Sequence, residues 1–301
     1  MLKRLLLAPA VAVTMAATLA GTAGAAQAKT LNVVASFTVL ADMVQEIGGS
    51  HVAVKSLVGP NGDPHVYEPT PQDGEALSKA DLVFVSGLGL EGWMDRLIKA
   101  SGYKGTIIVA SDGISTRRME EDGQEITDPH AWNSAANGVI YAKNITAALE
   151  QADPADATDI AARGQKYEHQ LDTLHSWAEQ LVKTVPVEKR KIITSHDAFG
   201  YLGAAYGIEF KAPVGFSTEA EASAADVAGL IDQIKKENIK AVFLENSNDP
   251  RLVKQIAGAT GATLGGTLYA EALSGPDGPA TTYAKMFRYN IELLVKGMKA
   301  N

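Results

Sequence analysis

The sequence predicts an α/β protein of two lobes, each with a parallel sheet covered by helices, joined by one long helix. Three observations carry that prediction. Short runs rich in Val and Ile alternate with longer amphipathic stretches from Leu31 to Val109, the same alternation restarts at Lys191, and one amphipathic stretch of about 30 residues lies between. Strands that are nearly continuous in apolar residues and separated by helices are buried on both faces, as in parallel sheets.

In the first lobe, Leu31 to Ala35 reads as a strand, followed by a helix to about Ile47 and a strand from His51 to Val58. Asp63-Pro64-His65-Val66-Tyr67-Glu68-Pro69-Thr70-Pro71 reads as a loop stiffened by three prolines. Strands follow at Leu82 to Ser86 and Thr106 to Val109, with a helix from Glu91 to Ala100 between them. Ser111 to Thr127 reads as a polar loop whose acidic run from Met119 to Glu125 is solvated, and Asn133 to Gln151 as a helix. Asp153 as N-cap and Pro154 as first residue open the long helix. Its apolar positions, Ile160, Gly164, Tyr167, Leu171, Leu174, Ala178 and Leu181, recur at spacings of three and four, and it ends before Pro186. Such a helix spans ~45 Å, more than one lobe needs, and reads as a strut.

The second lobe runs through a strand at Lys191 to Thr194, a helix from Ala198 to Tyr206 and a strand at Ile208 to Phe210. Ser223 and Asp226 cap a helix from Ala224 to Glu237, and a strand at Ala241 to Leu244 follows. Asp249-Pro250 starts a helix, Thr263 to Leu268 makes the last strand, and Ala280 to Lys299 the closing helix. The predicted lobes are residues 29–153 and 185–301, with the linking helix at 154–184.

The chain opens with Lys3-Arg4, an apolar stretch from Leu5 to about Leu19 and the small-residue pattern Ala26-Gln27-Ala28. That is the pattern of a signal peptide, residues 1–28. Its apolar core is shorter than the ~20 residues of a membrane span, so a soluble exported chain is expected. Removing Lys3 and Arg4 but no acid takes the formal net charge from −8 to −10. This balance argues against nucleic acid as a partner and says nothing of ligand identity. There is no cysteine, so the fold rests on buried apolar area. A monomer is expected.

Ligands of open α/β sheets bind beyond the carboxyl ends of the strands. His65 follows the strand ending near Val58, His130 the strand ending near Val109, His196 the strand ending at Thr194, and Glu271 the strand ending at Leu268. If the lobes face each other, His65 and His130 approach one divalent ion from one side and His196 and Glu271 from the other. Three imidazoles and one carboxylate suit tetrahedral zinc, whereas a bidentate carboxylate accommodates manganese or iron. Glu245 also follows a strand and competes with Glu271; it is read as a cap or as a hydrogen-bonding support for a ligand. His51, His169 and His175 read as surface or capping residues, Trp132 and Tyr67 as packing, and Asp277 as a turn residue. An exported metallohydrolase would need an open coordination position and a general base, and the chain lacks His-Glu-x-x-His. No feature supports an adhesin.

Asp63 to Pro71, Asp128-Pro129-His130-Ala131-Trp132, Thr194-Ser195-His196-Asp197-Ala198-Phe199-Gly200-Tyr201, and Gly266-Thr267-Leu268-Tyr269 followed by Glu271 together resemble one family. It is the ZnuA/TroA-like (cluster A-I) family of solute-binding proteins serving zinc and manganese ABC importers, and the resemblance covers essentially the whole predicted mature chain. It implies two Rossmann-like lobes joined by a single long helix, with one metal in the interlobe cleft held by His65, His130, His196 and an acid. It further implies capture of a divalent metal without chemical turnover and delivery to an ABC transporter membrane permease. The family's fourth ligand is commonly aspartate, so Glu271 leaves the denticity open. Histidine at the position of His196 leans toward zinc, with manganese and iron as alternatives. The segment before His130 lacks the histidines that many zinc members carry there, which implies weak auxiliary capture. Without a lipobox cysteine, the expected location is the Gram-negative periplasm.

Overall fold

The computed structural model describes residues 30–121, 124–215, 218 and 222–301. The predicted signal peptide, residues 1–28, lies outside them. Among the described residues, no helix is long and apolar enough to cross a membrane.

Strands β1 (Leu31–Ala35), β2 (Val52–Ser56), β3 (Leu82–Val85) and β4 (Thr106–Val109) pair in parallel in the order β2-β1-β3-β4. Helices α1 (Thr38–Gly48), α2 (Pro71–Ser78), α3 (Met94–Ser101) and α4 (Ala135–Ala152) accompany them. Helix α2 is absent from the elements expected from sequence, although its start is legible: Thr70 and Asp73 form a reciprocal capping box around Pro71. The predicted polar loop also contains an antiparallel pair, β5 (Arg118–Glu121) and β6 (Gln124–Thr127). Four of its eight residues are charged and only Met119 and Ile126 are apolar, so no apolar run announces it.

The linking helix α5 (Ala157–Lys183) begins at Ala157 rather than Pro154. Residues 154–156 form a turn in which Asp156 N donates to Asp153 O at 3.3 Å. The apolar stripe lies inward as read, except that Val182 takes the buried place expected of Leu181. Beyond α5, β7 (Lys191–Ile193), β8 (Glu209–Lys211), β9 (Ala241–Glu245) and β10 (Thr263–Leu268) form a second parallel sheet in the order β10-β9-β7-β8. Its helices are α6 (Gly200–Tyr206), α7 (Ala224–Glu237), α8 (Arg251–Thr260) and α9 (Tyr283–Met298).

One continuous apolar core runs from Phe37 and Phe84 through Leu149, Leu171 and Leu174 to Phe243 and Phe287, so it belongs to both lobes. Only α7 and α8, with Ile193 and Val242 of the second sheet, enclose a separate smaller core. The linking helix therefore does not cross a gap; it packs along α4, α1 and α9. Arg163 of α5 donates to Ile47 O and Glu46 O at 2.9 Å each, closing the end of α1. Asp42 of α1 accepts from Tyr283 N at 2.7 Å, at the start of α9.

The approach of α4 to α5 depends on Gly164. A Cβ there would lie 2.2 Å from Thr146 Oγ1 and 2.9 Å from Thr146 Cβ. Thr146 Oγ1 donates to Ala142 O, which holds the side chain in place. Gly164→Ala gains about 1 kcal/mol of helix propensity but overpacks at a cost of about 1–3 kcal/mol. A net loss in urea unfolding is expected, and adding Thr146→Ala should recover most of it.

Candidate metal centre

The two Asp-Pro-His triplets fold alike. Asp63 Oδ1 accepts from His65 N at 2.8 Å, and Asp128 Oδ1 accepts from His130 N at 3.0 Å. Each aspartate closes a short turn over its proline and presents the histidine. The first triplet is held by Trp93 Nε1, which donates to Pro64 O at 2.8 Å, and by Thr218 Oγ1, which donates to Asp63 Oδ2 at 2.6 Å from the second lobe. The second sits at the base of the β5–β6 pair. There Arg117 Nη1 donates to Asp128 Oδ2 at 2.6 Å, and Tyr201 of α6 donates to Asp128 O at 3.0 Å. Asp128 Oδ1 also lies 3.0 Å from His130 Nδ1, turning Nε2 outward.

His196 follows β7 and Glu245 ends β9, where the strand order of the second sheet reverses. Glu245 Oε1 accepts from Ser195 N and His196 N at 2.7 and 3.1 Å, and Oε2 lies 2.5 Å from His196 Nδ1. Glu245 thus supports a histidine and does not face the centre. The matching crevice of the first sheet is filled: Glu91 accepts from Ser36 Oγ, Ser86 N and Gly87 N at 2.7, 2.6 and 3.0 Å. His65 accordingly comes from the loop after the outer strand β2, and His130 from the far end of the β5–β6 excursion that follows the outer strand β4.

Glu271, three residues beyond β10, meets all three imidazoles. Its Oε1 lies 2.5 Å from His65 Nε2, 3.0 Å from His196 Nε2 and 3.4 Å from His130 Nε2, while Oε2 accepts from Ser247 Oγ at 3.2 Å. His65 Nε2 and His130 Nε2 are 3.1 Å apart. One ligand atom from each of the four residues lies within 4.8 Å of the others. Bonds of 2.0–2.1 Å to a tetrahedral ion place donors about 3.3 Å apart, so this set has the spacing and chemistry to hold one. Glu271, His130 and His196 are fully buried, and the His65 side chain is 3% exposed.

Trp132 and Asn133 do more than pack. Trp132 Nε1 donates to Ala270 O at 2.8 Å, and Asn133 Nδ2 donates to Ala270 O and Ala198 O at 3.2 and 2.9 Å. Asn248 Nδ2, 3.2 Å from His196 Nδ1, and Ser247 join the site without a sequence signal, since both lie in a polar loop like any other. His175 faces Tyr206 Oη at 2.9 Å, away from the centre.

Residues 33–297 match the family described as zinc-uptake complex component A, periplasmic (ZnuA). The chain belongs to the ZnuA family. Relatives of this ZnuA-family chain include the manganese-binding lipoprotein MntA of Bacillus subtilis, 33% identical over 98% of this chain and 99% of MntA. The iron-binding protein YfeA of Yersinia pestis is 32% identical over 90% of this chain and 87% of YfeA. Among solved structures, the periplasmic zinc-binding protein TroA of Treponema pallidum superposes with a TM-score of 0.84 at 31% identity, covering 89% of this chain and 99% of TroA.

Burial opposes charge on His130 and His196, but the neighbouring carboxylates outweigh it. Asp128 and Glu271 raise His130, and Glu245 and Glu271 hold His196 well above the ordinary 6.5. Burial likewise opposes ionisation of Glu271, yet the histidines hold it well below 4.5. Without metal, the raised histidines contribute stability that is fully present below pH 6.5 and lost as pH rises through their folded values. Glu271 contributes stability present above 4.5 and lost as pH falls through its depressed value. Asp42, pushed up to about 7 by burial, costs stability progressively as pH rises from 3.8 to about 7, so it tilts the top of the profile toward its acid end. Thermal unfolding in chelator should therefore show the highest midpoint between about pH 4.5 and 6.5 and a falling midpoint toward pH 8.

Proposed function

We propose that this chain captures a divalent transition-metal ion, zinc before manganese or iron, in the periplasm and delivers it to an ABC permease. The observation that carries this reading is the convergence of three imidazoles, from loops of both lobes, on one buried carboxylate oxygen of Glu271. His65, His130, His196 and Glu271 are the proposed ligands. Four protein donors fill a tetrahedral shell, which suits retention of cargo and leaves no position for an activated water. Ser247 holds Glu271 Oε2, which favours binding through Oε1 alone and so favours zinc. A carboxylate released to bind through both oxygens would raise the coordination number and suit manganese, the metal named for MntA. In this reading residues 1–28 direct export, and residues 29–153 and 185–301 form the two jaws on either side of the 154–184 link.

A core shared between the lobes resists wide hinge opening, so release proceeds through small movements of the ligand loops. Solution scattering should give nearly the same radius of gyration with and without zinc; a large contraction on loading would refute this.

Competitive titration with zinc and manganese tests the ligand set. His196→Ala and Glu271→Ala should each weaken binding by more than the about 10–100-fold expected for Glu245→Gln, which removes only a supporting charge. Protons compete for the imidazoles, so affinity should fall as pH drops, starting above 6.5 because His130 and His196 are raised. Constant affinity from about pH 7.5 to 5.5 would exclude a three-imidazole site.

A further inference from the structure

His51 and Asp153 are left over from the metal centre and from helix capping, and the fold brings them together. His51 stands just before β2, at the amino edge of the first sheet, whereas His65 follows the carboxyl end of that strand. Five strand residues separate the two edges by ~16 Å. Asp153 and Asp156 lie in the turn between α4 and α5. One ligand atom each from His51, Asp153 and Asp156 lies within 4.8 Å of the other two.

Asp153 is 8% exposed, and its Oδ2 is shielded from solvent without a hydrogen-bond partner among the described residues. Asp156 Oδ2 is shielded as well; it lies 3.2 Å from His51 Nδ1 but outside hydrogen-bond geometry. On the far side of the ring, His51 Nε2 is 2.9 Å from Asp159 Oδ2, which orients the imidazole and leaves Nδ1 toward the other two acids. No Lys or Arg among the described residues pairs with these three carboxylates. A protonated His51 would offset the charge of Asp156 and Asp159 but leave Asp153 Oδ2 buried without a partner, which is costly for a carboxylate. A cation between the three side chains satisfies all of them. Asp153 also lines a cavity of about 420 Å³ with Asp81, Leu82 and Thr106.

We propose that His51, Asp153 and Asp156 form a second divalent-cation site, of one nitrogen and two carboxylate ligands, where the α4–α5 turn meets the start of β2. Three protein donors leave positions for water, so the site binds zinc more weakly than the four-ligand centre. Occupancy would tie the root of the linking helix to the first lobe.

Zinc titration of the untagged, metal-free chain, followed by calorimetry and by NMR of the histidine rings, tests this. Two equivalents are expected, the second and weaker moving the His51 ring signals. Asp153→Asn should keep the first equivalent and lose the second, without lowering the unfolding temperature of the metal-free protein. His196→Ala should weaken the first and leave the second, so failure at either site is distinguishable from failure at the other. His51 signals that never move, a second equivalent that persists in Asp153→Asn, or a metal-free Asp153→Asn that unfolds at lower temperature would each overturn the proposal.

Discussion

The hydrogen bonds from Trp132 and Asn133 to Ala270 O and Ala198 O are the contacts on which the centre depends. Trp132 and Asn133 follow His130 in the first lobe, whereas Ala270 precedes Glu271 and Ala198 follows His196 in the second. Two adjacent residues thus hold His196 and Glu271, the proposed ligands of the second lobe, in register with His130 of the first. Asn133 is 1% exposed and Trp132 fully buried, so water cannot replace a lost donor, and an unpaired buried carbonyl costs about 1–3 kcal/mol. Asn61 N donating to Leu273 O at 3.1 Å and Leu273 N donating to Thr38 Oγ1 at 2.9 Å continue the same seam.

Around that seam the electrostatics are arranged for a cation. Asp128 behind His130 and Glu245 behind His196 each face Nδ1, so each ring presents Nε2 to the centre. The same carboxylates raise the basicity of the rings, which strengthens them as ligands and as proton acceptors alike. In the proposed site, metal capture would exchange protons for an ion, within a frame whose lobes share one apolar core.

Much of this was legible in the sequence because its signals are local. Apolar runs of β-branched residues marked the sheet strands, and the stripe from Ile160 to Ala178 marked the linking helix, since burial of one helix face imposes a 3.6-residue period. The histidines stood out because each follows a strand, and strand ends in parallel sheets share one edge. Legibility failed where local signals conflict or vanish. The β5–β6 pair is too charged to show alternation, and Asp153-Pro154 looks like a helix start while serving as a turn. Asn133 and Ser247 act through partners distant in sequence, which no pattern reveals.

The sequence by itself determined the alternation of elements, the two lobes, the long helix and the family, because these follow from residue periodicity and from motifs contiguous in the chain. Only the tertiary structure decided that Glu271 meets all three histidines while Glu245 backs His196 alone, that the linking helix lies within a common core, and that His51 meets Asp153. Each of those depends on distances between segments tens to hundreds of residues apart, which are set by packing and by the satisfaction of buried polar groups.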